Sequence, residues 1–307
     1  MHRKIAILLS AYNGGKYLEE QLESLLGQTY GRYVIVLRDD GSGDNTPGII
    51  ESYRARHPGV VHVPPGGGRH LGACASFAFL MRYVLGSKGA LGLPEAAMAF
   101  CDQDDVWAAD KIERQVQCLR AAESDAGAAP VLVHSDLEVV GESGNTIAGS
   151  FVRYQGIDPK RNRFGQVLYG NPVTGSTALI NEALAVRALP VPPEAVMHDW
   201  WLALAASAFG KLVFVDRPLV RYRQHPGNAL GAVQKPPRRS LAELASAVYG
   251  LRPDPSVTAL AAQAGAFLER YGASLGTGQK IRLRLTAVLR TRSGAAQRVF
   301  RRLGRRL

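Results

Sequence analysis

Short apolar runs alternate with longer amphipathic stretches through the first half of the chain. The apolar runs have the length of buried strands, and the stretches between them repeat their apolar residues with the spacing of a helix face. We predict strands at Ile5–Leu9, Tyr33–Leu37, Val60–Val63, Ala96–Cys101 and Val131–His134. Between them we predict helices at Lys16–Leu26, Pro47–Arg56, Cys74–Leu85 and Asp110–Ala122.

Two of these helices begin with capping signals. Asp44 and Asn45 stand before Pro47, which suits a first helical turn. Asp110 is followed three residues later by Glu113, the pattern of a capping box. Strands that alternate with helices predict an α/β fold with a doubly wound, mostly parallel sheet of the Rossmann-like kind. Such sheets bind ligands beyond the carboxyl ends of their strands.

The pattern loosens after about residue 150. Prolines and basic residues at positions 235–239 predict a linker that separates a domain of residues 1–232 from a helical, basic extension of residues 233–307. In the first part we predict strands at Ala178–Ile180 and Leu212–Val215 and helices at Asn181–Leu189 and Asp199–Phe209. In the extension we predict helices at Ser240–Tyr249, Val257–Tyr271 and Lys280–Leu303.

Charge is unevenly distributed. The formal net charge of the 307 residues is +11, and the stretch from Lys280 to Leu307 contributes 10 Lys and Arg with no Asp or Glu. The rest of the chain is therefore nearly neutral, which argues against a core that binds nucleic acid. Apolar residues among the tail's arginines make it a candidate for contact with a membrane surface; a solvated helix or a helix packed on a dimer partner fits the same pattern.

The remaining composition points to the cytoplasm. Cys74, Cys101 and Cys118 lack the spacing of a metal site or a disulfide framework, which is typical of reduced thiols. No apolar run reaches the roughly 20 residues of a membrane-spanning helix. We therefore expect a cytoplasmic protein, with peripheral contact to the inner face of the membrane if the basic tail binds lipid.

Asp39-Asp40-Gly41-Ser42 directly follows a predicted strand, where such folds place their ligands. One carboxylate is suited to accept a hydrogen bond from the imide N–H of uracil or thymine, and the other to hold a ribose hydroxyl. The same residues are also ordinary turn formers.

Asp102-Gln103-Asp104-Asp105 follows another predicted strand. Three carboxylates so close repel one another unless a cation neutralises them, and Mg²⁺ or Mn²⁺ prefers such oxygen ligands together with phosphate. A solvated acidic turn is the alternative.

Two later motifs are more ambiguous. Asp199, followed by Trp200 and Trp201, is suited to be a general base beside aromatic residues that shape a sugar pocket. The alternative is an N-cap before core tryptophans. His225 is suited to contact a metal or phosphate, or else is a turn residue before Pro226.

Together and in this order, the motifs resemble those of the inverting family-2 glycosyltransferases with the GT-A fold, most closely the bacterial rhamnosyltransferase-like members. The resemblance runs from about residue 3 to residue 230. One departure is His70, which stands before Leu71-Gly72 where the family commonly has Asn. The matching segments are Ile7–Leu18, Arg38–Asp44, Phe100–Trp107, Asn171–Thr177, His198–Trp201 and Arg223–His225.

The resemblance implies a role for each matching residue. Asp39 would read the pyrimidine and Asp102 would hold the ribose. Asp104 lies in the DXD-type motif and would bind Mg²⁺ or Mn²⁺ at the diphosphate, and Asp199 would be the catalytic base. The implied nucleotide-binding set is Ala11, Asn13, Asp39, Asp40, Asp102, Gln103 and Asp104, and the implied metal ligands are Asp104 and His225.

The implied activity is transfer of a sugar, with inversion, from a nucleotide-sugar donor to a glycan hydroxyl in bacterial cell-surface polysaccharide synthesis, as in O-antigen. The donor suggested is dTDP-L-rhamnose and the acceptor a lipid-linked glycan. A UDP-hexose donor is the alternative, because uracil and thymine present the same imide edge. A nucleotidyltransferase would need a glycine-rich basic loop, which residues 11–16 match only in part. A non-enzymatic protein that binds membrane or nucleic acid would leave the acidic motifs unexplained.

Overall fold

The computed structural model describes residues 3–226 and 255–291. The predicted linker at 235–239, the predicted helix Ser240–Tyr249 and the basic residues from Arg292 onward lie outside these ranges. The strands are β1 Ile5–Ala11, β2 Tyr33–Asp39, β3 Val61–His62, β4 Ala97–Cys101, β5 Val106–Trp107, β6 Val131–Val140, β7 Thr146–Ala148, β8 Leu179–Ile180 and β9 Lys211–Arg223.

The α-helices of the described residues lie between and after these strands. They are α1 Leu18–Leu26, α2 Thr46–Arg56, α3 Ala73–Gly86, α4 Lys88–Leu91, α5 Lys111–Ala126, α6 Phe151–Gln155, α7 Phe164–Tyr169, α8 Glu182–Ala188, α9 His198–Phe209, α10 Pro255–Tyr271 and α11 Thr277–Ala287.

The nine strands of the described residues form one sheet in the order β3-β2-β1-β4-β8-β6-β9-β5, with β7 paired to β6. Strands β1 to β4 are parallel to their neighbours among themselves, and β9 is parallel to β6. Strand β8 is antiparallel to both β4 and β6, and β5 is antiparallel to β9. The predicted mostly parallel α/β sheet is therefore confirmed.

Both faces of the sheet are buried, which explains why its central strands are apolar throughout. On β1, Ile5, Ile7 and Leu9 pack with α1, α2 and α5, whereas Ala6 and Leu8 face the layer that contains α3, α8 and α9. Side chains on alternate residues of a strand point to opposite faces, so one short run supplies two cores. This arrangement fixes the strand ends from which the candidate site is built.

Several predicted elements differ from the structure. Strands β6 and β9 continue well beyond His134 and Val215, and the short elements β5, β7, α6 and α7 were not predicted. The capping box at Asp110 was wrong: its carboxylate pairs with Arg114, and Glu113 accepts a hydrogen bond from Thr29.

The single helix predicted at Lys280–Leu303 was also wrong. Helix α11 ends at Ala287 and a 3₁₀ turn follows at Val288–Thr291. This turn buries Leu289 against Val257 and Ala261 of α10. None of the described helices is both long enough and apolar enough to cross a membrane.

The C-terminal helices share the core of the sheet. Phe267 of α10 lies 5.2 Å from Trp201 and 5.7 Å from Phe164, measured between ring centroids. The Tyr169 hydroxyl is 3.0 Å from that of Thr286 on α11. The domain boundary at residue 232 stays a prediction, because it lies outside the described ranges, but the helices beyond it pack into the same core as α7 and α9.

Replacing Phe267 with alanine tests this shared core. We expect Phe267→Ala to lower the free energy of unfolding by roughly 3–5 kcal/mol, as for other large-to-small changes at buried aromatic residues. The measurement is urea denaturation followed by circular dichroism. Glu269→Ala, at an exposed position of the same helix, is the matched control, with an expected change within about 0.5 kcal/mol. Equal effects of the two substitutions would contradict a shared core.

Candidate active site

The carboxyl ends of β1, β2 and β4 meet at one edge of the sheet. Ala11, the last residue of β1, is in register with Asp39, the last residue of β2, and Leu9 is in register with Cys101 at the end of β4. The Asp40 amide donates to the Ala11 carbonyl at 2.7 Å. The register therefore brings the loops that carry the predicted nucleotide-binding residues side by side.

Gln103 joins the loop after β4 to the loop after β1. Its Oε1 accepts a hydrogen bond from the Tyr12 amide at 2.7 Å, and its Nε2 donates to the Tyr12 carbonyl at 2.9 Å. A Cβ on Gly14 would lie 2.2 Å from Oε1 of Gln103, so only glycine fits there without movement. The structure thus gives Gln103 a bridging role between loops, and its amide is already engaged.

Asn13 organises the next pair of loops. It has a positive φ of 49°, a backbone conformation that asparagine tolerates better than most residues. Its Oδ1 accepts from the Gly43 amide at 2.8 Å, and its own amide donates to the Ser42 hydroxyl at 2.9 Å. That hydroxyl in turn donates to Oδ1 of Asp39 at 2.5 Å. Asn13 and Asp39 therefore form one partly exposed cluster, next to the buried Ala11.

Asp40, by contrast, is buried and fully engaged. It pairs with Arg38 and accepts hydrogen bonds from the amides of Leu71 and Gly72 at 2.9 and 2.8 Å. Both carboxylate oxygens of Asp40 therefore anchor the loop at residues 70–72 instead of facing a nucleotide.

The same loop positions His70, whose ring lies 4.3 Å from the ring of Tyr12. Tyr12 is 44% exposed. The two rings are inclined at 42° to each other, next to the loops that carry Asp39 and Asp40. The sequence motifs did not assign Tyr12 a role. The only sequence feature that pointed to this pair was His70, which stands where the family usually has Asn.

The acidic loop brings the two predicted metal ligands together. Oδ2 of Asp104 lies 2.8 Å from Nε2 of His225. Asp102 lies in the same loop, where burial and the charges of Asp104 and Asp199 raise its pKa to about 7. Burial and the neighbouring carboxylates also raise the pKa of Asp105 well above its ordinary value.

Arg223 holds this loop in place. Its backbone amide donates to Asp105, and its Nε donates to the Asp104 carbonyl at 3.1 Å. Nη1 donates to the carbonyl of Glu142 at 2.8 Å, and Nη2 pairs with the Glu20 carboxylate at 2.6 Å. The sequence motif contained Arg223 but predicted a role only for His225, because arginine alone does not reveal which carbonyl groups it will meet.

Asp199 lies in the first turn of α9. Its Oδ1 accepts a hydrogen bond from the Asn171 side chain at 3.1 Å, and the Gly175 amide also donates to the carboxylate. Burial outweighs these bonds and raises the pKa of Asp199 to about 7. The N-cap position belongs to Met197, so the alternative that Asp199 is an N-cap is wrong.

The residues around Asp199 are packed tightly. His198 is buried, with its ring 4.3 Å from Phe77, and burial lowers its pKa to about 3. Trp201 is fully buried beside Phe267, and the indole N–H of Trp200 donates to the Val167 carbonyl at 2.7 Å. The expectation that both tryptophans shape a sugar pocket is therefore wrong for Trp201, which is a core residue.

The residues at Asp104 suit a hard divalent cation. Asp104 and His225 converge on one point. In residues 3–226 and 255–291, no three His, Cys, Asp or Glu side chains are placed to hold a metal ion by protein ligands alone. A site of one or two protein ligands is usual for Mg²⁺ that also binds substrate phosphates and water. The residues present fit a metal that arrives with a diphosphate.

Comparison with known proteins identifies the family. The family described as "Glycosyl transferase family 2" matches residues 6–179, more than half of the chain. The chain belongs to this family. A dTDP-rhamnosyl transferase, RfbG of Shigella flexneri, is 25% identical over 239 residues, which cover 73% of this chain and 74% of RfbG. The family resemblance predicted from the motifs is therefore confirmed.

Two solved structures share the architecture of this one. TarS of S. aureus, in complex with UDP-GlcNAc, aligns with a TM-score of 0.55 at 14% identity and covers 99% of this chain and 90% of the TarS chain. The mannosyltransferase PcManGT of Pyrobaculum calidifontis, in complex with GDP-Man and Mn²⁺, aligns with a TM-score of 0.51 at 15% identity, over 99% and 84% of the two chains. The glycosyltransferase has the GT-A fold.

Proposed function

We propose that this glycosyltransferase transfers a sugar, with inversion, from a nucleoside diphosphate donor to a hydroxyl of a glycan in bacterial surface polysaccharide synthesis. The observation that carries the proposal is that the start of α9, which holds the predicted base Asp199, packs against β4, the strand that leads to Asp102: the ring of His198 lies 5.2 Å from that of Phe100. A base next to the donor is what a direct displacement requires.

The partly exposed cluster of Asn13 and Asp39, with the backbone at the buried Ala11, is proposed to hold the pyrimidine, with Asp39 accepting from its imide N–H. Asp102 is proposed to hold the ribose. A dTDP-L-rhamnose donor is favoured by the similarity to RfbG, a dTDP-rhamnosyl transferase. A UDP-hexose remains the second candidate, since TarS was solved with UDP-GlcNAc and the imide edge of uracil equals that of thymine.

Asp104 and His225 are proposed to hold Mg²⁺ or Mn²⁺. When bound, the cation supplies positive charge that offsets the charge of the diphosphate leaving group. Asp199 is proposed to take the proton from the acceptor hydroxyl as that hydroxyl attacks the anomeric carbon. Because the hydroxyl itself displaces the nucleotide, one step inverts the anomeric centre and no enzyme nucleophile is needed.

Nucleotide binding tests the donor half of the site. We expect dTDP or UDP to bind the wild-type protein in the presence of Mn²⁺ and to bind at least roughly tenfold more weakly after EDTA treatment or in Asp104→Asn, because a charge-assisted contact is lost. The measurement is isothermal titration calorimetry. Asp125→Asn, at an exposed surface position, is the control and is expected to bind as the wild type does. Binding that is independent of both metal and Asp104 would contradict the proposed metal site.

Turnover tests the base. With whichever dTDP- or UDP-sugar is turned over in a donor screen, we expect Asp199→Asn to lower kcat by about 10²–10⁴-fold and to leave nucleotide affinity unchanged. Because the base must be ionised and its pKa is raised to about 7, kcat/KM should rise with pH up to about 7 and level off above it. A bound cation favours the ionised form of Asp199 and would shift the rise in kcat/KM to lower pH.

Asp216→Asn, at an exposed position on β9, serves as the matched control for the base. It should retain both the wild-type rate and the wild-type pH profile. Near-normal turnover in Asp199→Asn would reject Asp199 as the base, whatever the nucleotide affinity.

We further propose that the enzyme is cytoplasmic and binds the inner face of the membrane through its C-terminal helices, where a lipid-linked acceptor would be presented. Ile281 and Leu285, one turn apart on α11, and Val288 in the turn that follows are 51%, 50% and 50% exposed. Lys280 and Arg284 lie beside them, and the following sequence to Leu307 contains Arg but no Asp or Glu. An apolar stripe with basic neighbours is complementary to an anionic lipid surface.

Vesicle co-sedimentation tests the membrane contact. We expect the wild-type protein to bind vesicles that contain anionic lipid, and the double variant Ile281→Ser/Leu285→Ser to bind at least roughly tenfold more weakly because buried apolar groups are lost. Val186→Ser, at a 59% exposed position on α8, is the control and should bind normally. Equal binding by the wild type and the double variant would overturn the proposal.

A further inference from the structure

A cleft of about 540 Å³ lies between α3 and the segment at residues 189–197 that leads into α9. This volume is within the range of small-molecule sites. The lining of the cleft is mainly apolar. Residues that define it are Ala75, Ala78 and Arg82 on α3 and Leu189, Val191 and Met197 on the facing segment.

The cleft adjoins the proposed base. Met197 lines it and directly precedes His198 and Asp199. Cys74, on the opposite wall, is close enough to Asp199 for that carboxylate to raise the pKa of its thiol, together with the larger effect of burial. The ring of the neighbouring His198 lies 5.2 Å from that of Phe100 on β4, the strand that leads to Asp102. The start of α9 therefore lies beside both the proposed donor site and the cleft.

Hydrogen bonds from α10 fix the wall of the cleft that is formed by residues 189–197. Oε1 of Gln263, a fully buried residue, accepts a hydrogen bond from the Val196 amide at 2.9 Å. The Arg270 guanidinium donates to the carbonyls of Arg187, Ala188, Leu189 and Pro190. Because these hydrogen bonds fix the segment at two points, the wall of the cleft is in place without a ligand.

Charge within the cleft is confined to one residue. Of the described lining residues only Arg82 is charged, and it has no ion pair or hydrogen bond within the described residues. Arg82 is exposed, so its guanidinium is available to a ligand. Glu194, the acidic residue of the facing segment, is not part of the lining. The cleft therefore combines an apolar lining with one available cation.

We propose that this cleft is the acceptor subsite and that it takes an acceptor whose apolar chain is joined to the sugar through an anionic phosphate or diphosphate. The apolar chain would lie against the alanines of α3 and the facing Leu189 and Val191, and the anionic linkage would pair with Arg82. The assignment as an acceptor subsite rests on the proposed function, because it depends on Asp199, next to the cleft, being the base that deprotonates the acceptor hydroxyl.

Calorimetry with geranyl diphosphate tests the cleft in the full chain. EDTA is present so that no metal recruits the diphosphate to Asp104. We expect geranyl diphosphate to bind at one site. Inorganic pyrophosphate, which lacks the apolar chain, and geraniol, which lacks the diphosphate, should each bind at least roughly tenfold more weakly. Arg82→Gln should weaken geranyl diphosphate roughly tenfold through loss of a charge-assisted contact and leave geraniol unchanged.

Ala75→Trp should abolish measurable binding, since Ala75 is exposed at the cleft and an indole would fill it. The matched controls are Ala55→Trp and Arg56→Gln on α2, which packs on the opposite face of the sheet. Both should bind geranyl diphosphate as the wild type does. Circular dichroism and UDP binding with Mn²⁺ in every variant verify the fold and the donor site.

Three results would overturn the proposal: no binding of geranyl diphosphate to the wild type, undiminished binding in Ala75→Trp, or pyrophosphate binding as tightly as geranyl diphosphate. Failure of UDP to bind, with geranyl diphosphate still bound in the cleft, would instead count against the donor site and leave the apolar anion site standing. The measurements therefore distinguish failure of the acceptor-cleft proposal from failure of the proposed donor site.

Discussion

The repulsion among the carboxylates at the end of β4 is the constraint on which the site depends. Asp102, Asp104 and Asp105 lie in one loop, and Asp199 is close enough to contribute to the raised pKa of Asp102. Arg223 fixes the position of this loop: its backbone amide donates to Asp105 and its Nε donates to the Asp104 carbonyl, while its guanidinium pairs with Glu20. Hydrogen bonds thus keep the carboxylates close together, and a bound divalent cation would relieve the repulsion among them.

This arrangement has an energetic cost in the absence of ligand. The pKa of Asp102 and of Asp199 is about 7 in the folded protein, against an ordinary value of 3.8. The folded state therefore holds protons that the unfolded state releases, so these residues reduce the free energy of unfolding as pH rises from about 4 to about 7. A bound cation would lower both pKa values and offset this loss. Such strain in the free state is common at sites that are built for a charged ligand.

The apolar pattern of the sequence predicted the strands near the site well because those strands are buried on both faces. It failed where polar residues are buried, as in β6, where Asp136 accepts hydrogen bonds from the amides of Leu137 and Val152. Short elements such as β5 and β7 have too few residues for a period to be recognised. The length of β9 was also missed because its exposed middle breaks the apolar run.

The candidate site was predictable in part. The sequence predicted that Asp39, Asp102 and Asp104 lie near one another, because the carboxyl ends of parallel strands meet at one edge of a sheet. Asp199, in a predicted helix, was added to the site only by the family resemblance. The residue type alone does not show whether a polar side chain faces the ligand or forms hydrogen bonds between two loops. Gln103 and Asp40 are polar residues within motifs, yet their partners are backbone groups from loops distant in sequence. Such partners become visible only once the chain is folded.

The hydrogen bonds from α10 to the segment before α9 limit which parts of the chain could be exchanged with those of a related enzyme. Arg270 and Gln263 fix a wall beside the base from a helix that lies more than fifty residues further along the chain. A chimera that exchanged only the stretch around residues 189–197 would separate this wall from its support. Residues 189–197 and α10 would therefore have to be exchanged together to keep this wall in place.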